Sequence, residues 1–138
     1  MELVINERNK KEELEKERAF ALVVAAGEIQ LKSGAEIARV EETMNHMAGA
    51  LKLDSLETYV IANGIFATAE GLKYMQRAGL CHISTGSTDL RKIEEVNTLS
   101  RRLEEGKMTM EEAEIQIEKI RKLGDYPAPI LIVAYAIG

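Results

Sequence analysis

A single cysteine, Cys81, leaves the chain without the pair that an internal disulfide needs, and two histidines, His46 and His82, are too few for a typical Cys/His zinc site. An excess of positive charge is missing as well. Lys and Arg number 18 against 23 Asp and Glu, a formal net charge of −5, which argues against nucleic acid or an anionic membrane surface as a general partner, since both demand phosphate neutralisation. No G-x-x-x-x-G-K-[ST] pattern occurs, so a nucleotide P-loop is excluded. The N-terminal run Met1-Glu2-Leu3-Val4-Ile5-Asn6 lacks the basic n-region, long apolar stretch and small-residue cleavage site of a secretory signal, and the cytoplasmic side is the expected location. Nor does any apolar run reach the roughly 20 residues of a full membrane span. At 138 residues, one compact domain with one core is the expectation.

What is present reads mostly as helix. Glu7 to Arg18 carries five acidic and five basic residues, with Glu7/Lys11 and Glu12/Lys16 at i,i+4, spacing that supports a solvated helix. From Ala19 to Leu31 the same helix turns apolar, which predicts a free first half and a packed second half. Ser33-Gly34-Ala35-Glu36 fits a stop and restart, with Ser33 and Glu36 matching an S-x-x-E capping box. Ile37, Val40, Met44, Met47 and Leu51 then step 3, 4, 3, 4, the clearest amphipathic stripe in the chain; its methionines are core first and a groove second.

Leu56 to Ala62 and Ile65 to Glu70 read as two strands about a type I′ turn at Asn63-Gly64. A third strand is expected over Leu80 to Ser84, after a polar excursion through Lys73, Gln76 and Arg77. Ser87 or Thr88 can cap a third helix with Leu90, Ile93, Val96, Leu99 and Leu103 at helical spacing, ending at Gly106. Thr109-Met110-Glu111-Glu112 is a second capping box and opens a fourth helix, basic towards its end at Lys119, Arg121 and Lys122. The fold class is therefore α+β: four helices packed on a small antiparallel sheet of about three strands. Residues 1–125 form this soluble domain. Residues 126–138, Tyr126-Pro127-Ala128-Pro129 followed by an uncharged run from Ile130 to Gly138, read as the start of a truncated transmembrane helix behind a basic cytoplasmic flank.

The stretch Leu31-Lys32-Ser33-Gly34-Ala35-Glu36-Ile37-Ala38-Arg39-Val40-Glu41-Glu42-Thr43-Met44 resembles the signature of the N-terminal domain of the threonine/serine exporter family. Gly86-Ser87-Thr88-Asp89-Leu90, Glu95-Val96-Asn97, Leu99-Ser100-Arg101, the helix from Thr109 and Tyr126-Pro127 follow in the family's order. The resemblance implies a cytoplasmic α+β domain preceding several membrane helices that export small amino acids. It also implies, through split relatives with two membrane subunits, a link to dicarboxylate export. Implied partners are the membrane part of the same transporter or a partner membrane subunit, a small carboxylate or amino-acid substrate, and further copies of the chain; no cofactor is implied.

Two groups of residues are candidate binding sites. Glu36, Arg39, Thr43 and His46 step 3, 4, 3 and form a polar stripe about 100° from the apolar one. Arg39 suits a carboxylate because a guanidinium matches its oxygens two-for-two; tied to Glu36, Glu42 or a helix end, it would instead lock the fold. Ser87 and Thr88, at a helix N-terminus, could hold an anion or simply cap the helix. Cys81-His82 near Ser84 and Ser87 invites a hydrolase, but neighbours on a strand point to opposite faces. No catalytic residue and no metal ligand is assigned. A self-contained hydrolase or small-molecule binding enzyme, and a plain oligomerisation module, stand as the alternatives to an exporter's front domain. For the module, the charged first helix and the Met-rich stripe are the expected contact surfaces.

Overall fold

A computed structural model describes residues 2–77 and 89–123, and its elements follow in the order α1 (Glu2–Lys32), α2 (Ile37–Ala50), β1 (Glu57–Ile61), β2 (Gly64–Ala69), β3 (Leu72–Arg77), α3 (Leu90–Glu104) and α4 (Met110–Lys122). Four helices and a three-stranded antiparallel sheet make the α+β class expected from the sequence. The layering differs from the expectation of four helices on the sheet. Only α1 and α2 carry it, through α2 against β1 and α1 against β2 and β3, while α3 and α4 pack on the helices behind.

The helix α1 is the axis of the fold. Every residue from Glu2 to Arg18 is exposed, whereas Ala19, Phe20, Leu22, Val23, Val24, Ala26, Gly27, Ile29, Gln30 and Leu31 are buried. The second half is apolar on nearly every side because it touches α2, α3, α4 and the sheet together, the condition under which a helix loses its amphipathic pattern. The i,i+4 pairs expected in the first half are not formed. Lys16 reaches Glu70 at the end of β2 instead (3.3 Å), and Arg18 binds Glu114 on α4. Both ties fasten the exposed half to the body.

The break between α1 and α2 corrects the capping box. Gly34 has φ 91° and closes a Schellman motif, in which Ala35 N–H donates to the Gln30 carbonyl (3.0 Å) and Gly34 N–H to that of Leu31 (3.1 Å). Ser33 is thus part of the end of α1 and buried; Glu36 is the N-cap of α2 and makes no side-chain cap bond. Along α2, Val40, Met44 and Met47 are fully buried as the stripe predicts, but Ile37 is 38% exposed at the free first turn. A buried Thr43 takes its share of the interface. Because Met44 and Met47 are sealed in the core, the methionine stripe is not an interaction surface.

In the sheet, β1 pairs with β2 from Glu57↔Thr68 to Ile61↔Gly64, and β2 with β3 from Gly64↔Arg77 to Ala69↔Leu72. The first hairpin loop is therefore Ala62-Asn63, and neither Asn63 nor Gly64 has a positive φ. The type I′ signature sits at the second hairpin, Glu70 (φ 47°) and Gly71 (φ 88°). The third strand is the stretch expected to be a polar excursion; its polarity reflects an open face of the sheet and an edge position. The strand expected at Leu80 to Ser84 lies outside the described residues. Val60, Ile65, Ala67 and Ala69 point into the core, alternating with Glu57, Tyr59, Phe66 and Thr68 on the other face.

Asp89, rather than Ser87 or Thr88, caps α3, accepting from Lys92 N–H at 3.2 Å. A second Schellman closure at Gly106 turns the chain into α4, whose capping box forms as expected: Thr109 Oγ1 accepts from Glu112 N–H (3.2 Å) and Glu112 Oε1 accepts from Thr109 N–H (3.0 Å). Asp89 N–H donates to the Ser33 carbonyl (2.8 Å), so α3 starts where α1 ends and α2 starts, and α2 and α3 run parallel. Contacts of Arg18 with Glu114 set α4 parallel to α1.

Candidate functional site

The parallel course of α2 and α3 has a direct consequence for their polar stripes. On α2, Arg39, Thr43 and His46 step 4 and 3; on α3, Glu94, Asn97, Arg101 and Glu104 step 3, 4, 3. Two stripes of matching period on parallel helices face one another over their whole length, and between them lies a cleft of 390 Å³ lined by Arg39, Glu42, Thr43, His46, Glu94, Asn97, Ser100, Arg101 and Glu104. Three of the four residues expected on α2 thus meet in one site. Glu36 does not line it, being the exposed N-cap one turn away. Ser87 and Thr88 lie outside the described residues, as do Cys81, His82 and Ser84.

The floor is a buried polar network. Gln30, fully buried on α1, donates from Nε2 to Asn97 Oδ1 (2.9 Å) and to the Ile93 carbonyl (3.5 Å), and Thr43 Oγ1 lies 3.4 Å from the same Asn97 oxygen. One amide oxygen therefore ties three helices together beneath the cleft, and in a low-dielectric setting such a network fixes their relative positions. Gln30 Oε1 has no partner among the described residues.

At the far end His46 sits between two carboxylates, with Nε2 3.6 Å from Glu42 Oε1 and Nδ1 against Glu104. Each ring nitrogen thus has an acidic neighbour, Glu104 being the nearer. A general base for Ser100, which shares the cleft, would need one nitrogen free as an acceptor, and no hydrogen bond joins His46 to Ser100 among the described residues. At the near end Arg39 is exposed and makes no ion pair or hydrogen bond among the described residues, so neither Glu36 nor Glu42 locks it. Glu94, across the cleft, is likewise without an ion pair there, and Arg101 donates only to Thr98 Oγ1 (3.5 Å). The site therefore has one end where His46 lies between two carboxylates and another where Arg39 and Glu94 each lack an ion pair among the described residues. No group of three or more metal-binding side chains occurs among the described residues.

The model of the threonine/serine exporter family (ThrE) matches residues 21–138, the whole chain apart from its first 20 residues. The chain belongs to the threonine/serine exporter family. Its match extends through residues 124–138, which lie outside the described part; among the described residues, no helix is long and apolar enough to cross a membrane. Neither the curated proteins nor the solved structures hold a significant match to this exporter-family chain.

Packing and turn geometry account for most of the stretch that resembles the exporter signature. Leu31, Val40, Thr43 and Met44 are buried, Ser33 is buried at the helix end, Gly34 takes the left-handed backbone, and Glu36 is the N-cap. Arg39 has no such role: it is exposed, makes no ion pair or hydrogen bond among the described residues, and opens onto the cleft, which Glu42 also lines. The α3 side of the site, from Glu94 to Glu104, was legible only as a second 3, 4, 3 stripe; what sequence reasoning lacked was the parallel pairing that brings the two stripes together.

Proposed function

We propose that this chain is the cytoplasmic front domain of an exporter of small amino acids, and that it regulates the membrane part by binding the transported class of molecule in the α2–α3 cleft. The observation that carries this reading is that Arg39 and Glu94 line the same cleft and neither makes an ion pair among the described residues. A free amino acid is a zwitterion. Its carboxylate suits the Arg39 fork, its ammonium suits Glu94, and Thr43, Asn97 and Ser100 line the space between. A dicarboxylate would use Arg39 and Arg101 instead and would leave Glu94 opposed to it. Location on the cytoplasmic side is supported by Lys119, Arg121 and Lys122 in the last turn of α4, ahead of the apolar residues 126–138. The domain needs no catalysis for this role.

Calorimetric titration of the chain with threonine, serine and succinate tests the reading. Threonine or serine binding that disappears in Arg39→Ala and weakens in Glu94→Gln, with the thermal midpoint unchanged, is the expected result; the same substitutions in the full-length exporter should alter the response of export to cargo concentration. Absence of binding, or binding indifferent to Arg39→Ala, would overturn the cleft as the site. Succinate binding that strengthens in Glu94→Gln would move the substrate class to dicarboxylates.

A further inference from the structure

The sheet's outer face is covered by no described element, and its composition is not that of a solvated surface. In register, the outward residues form rows across the three strands: Glu57–Thr68–Lys73 and, next to it, Tyr59–Phe66–Met75. Tyr59 is 67% and Met75 72% exposed, and Tyr59 and Phe66 pack ring against ring at 6.1 Å between centroids. The row borders a shallow depression of 570 Å³. An apolar row beside a row that carries an acid at the β1 edge and a base at the β3 edge, with Ile61–Gly64–Arg77 the next row by register, is an unusual surface to leave in water.

Glu57 and Lys73 stand two strands apart, about 10 Å between backbones at ordinary strand spacing, and neither makes an ion pair among the described residues. Within one copy they are too distant to satisfy each other. A two-fold axis parallel to the strands and passing by Phe66 lays β1 of one copy over β3 of the other. It places Glu57 opposite Lys73 of the second copy, twice, Tyr59 opposite its Met75, twice, and Phe66 against its own counterpart. The alternative in-plane axis, across the strands, lays Glu57 over Ile61 of the second copy and pairs neither charge. We infer that this face is a self-complementary docking surface for a second copy of the chain, packed sheet to sheet with strands aligned in the usual β-sandwich manner. The area is small, so the contact is weak in solution and gains from the raised local concentration of domains held on one membrane. This is independent of the cleft, which opens between α2 and α3, the latter outside the sheet contacts.

Sedimentation of the 138-residue chain at concentrations up to about 1 mM reads the association directly. Glu57→Lys and Lys73→Glu should each weaken self-association by about tenfold, because each replaces two attractive pairs by two repulsive ones. An equimolar mixture of the two variants should associate as the wild type does, since each then offers the other's missing sign, and the double variant should self-associate again. Phe66→Asp should abolish the contact while far-UV circular dichroism stays unchanged. A wild type that remains monomeric, a mixture no better than its components, or association that survives Phe66→Asp would each overturn the inference, including the case in which residues 126–138 of the same copy occupy the face.

Discussion

Gly27 on α1 and Met44 on α2 are in tight contact, and their coupling can be measured. A Cβ added at Gly27 would stand 2.5 Å from Met44 Sδ, 2.9 Å from its Cγ and 3.3 Å from its Cε. Contacts under 3.0 Å are not tolerated, and Cγ, unlike the end of the side chain, moves only by a change of χ1 or a shift of the helix. Met44 has nowhere to go, since it is fully buried among the residues of α1 and the sheet. Two effects compete in Gly27→Ala: the substitution raises helix propensity by about 1 kcal/mol, and it overpacks a closed core at a cost of about 1–3 kcal/mol. Overpacking should win, with a net loss of up to about 2 kcal/mol and a fall in thermal midpoint of up to roughly 10 °C for a domain of this size.

The sign should then reverse when the obstacle is removed. Met44→Ala alone leaves a cavity and costs about 2–5 kcal/mol. In that background the Gly27→Ala methyl enters vacated space, keeps its propensity gain of about 1 kcal/mol, and stabilises. The cycle should therefore show a coupling of about 1–3 kcal/mol, the overpacking cost that Met44→Ala relieves. Urea unfolding followed by far-UV circular dichroism is the suitable assay, because the chain has no tryptophan. If Gly27→Ala is equally destabilising in both backgrounds, or stabilising in both, the helices are not in the tight contact described, and Gly27 has some other reason to be glycine.

Two further outcomes follow from the start of α4 and from a half-buried carboxylate, Glu28. Thr109→Ala removes one half of the capping box that opens α4 and should cost about 1 kcal/mol by thermal or urea unfolding, with Thr109→Ser recovering most of it. Burial holds the Glu28 carboxyl above its ordinary value of 4.5, against the opposing pull of Lys32 and Arg121, so the folded state binds that proton more tightly than the unfolded chain. Its contribution is complete below pH 4.5 and is lost as pH rises through the raised value. Glu28→Gln, which cannot titrate, should therefore lose less stability than the wild type between mildly acidic and neutral pH; an identical pH profile for the two would show that Glu28 is not perturbed by folding.

Local chemistry was legible in the sequence wherever one segment determines its own structure. The switch at Ala19 from a wet to a buried helix, the core positions Val40, Met44 and Met47, and the capping box at Thr109 all depend on a few neighbouring residues. Errors arose where a local pattern had more than one solution. Ser33 and Glu36 fit a capping box, but Gly34 in the left-handed region ends α1 by a Schellman motif and leaves no role for the serine as a cap. Asn63-Gly64 fits a type I′ turn, but the strand register places Ala62-Asn63 in the loop and gives the positive φ pair to Glu70-Gly71. The polar residues of β3 hid a strand because one face of the sheet is open.

The cleft illustrates why half a site can be visible and the other half not. Each polar stripe, 39–43–46 and 94–97–101–104, is periodic on its own, and neither says which neighbour it faces. That is decided elsewhere, by the hydrogen bond from Asp89 to Ser33 that starts α3 beside α2 and by Gln30, whose amide on a third helix holds Asn97 under Thr43. The two stripes are thereby brought together by residues that do not themselves line the cleft. Arg39 is among the residues of the family-like stretch that packing, turns and caps leave unclaimed. A surface guanidinium needs no structural reason to exist, but one that shares a cleft with Glu94 and, like it, makes no ion pair among the described residues is placed for a ligand that brings both charges.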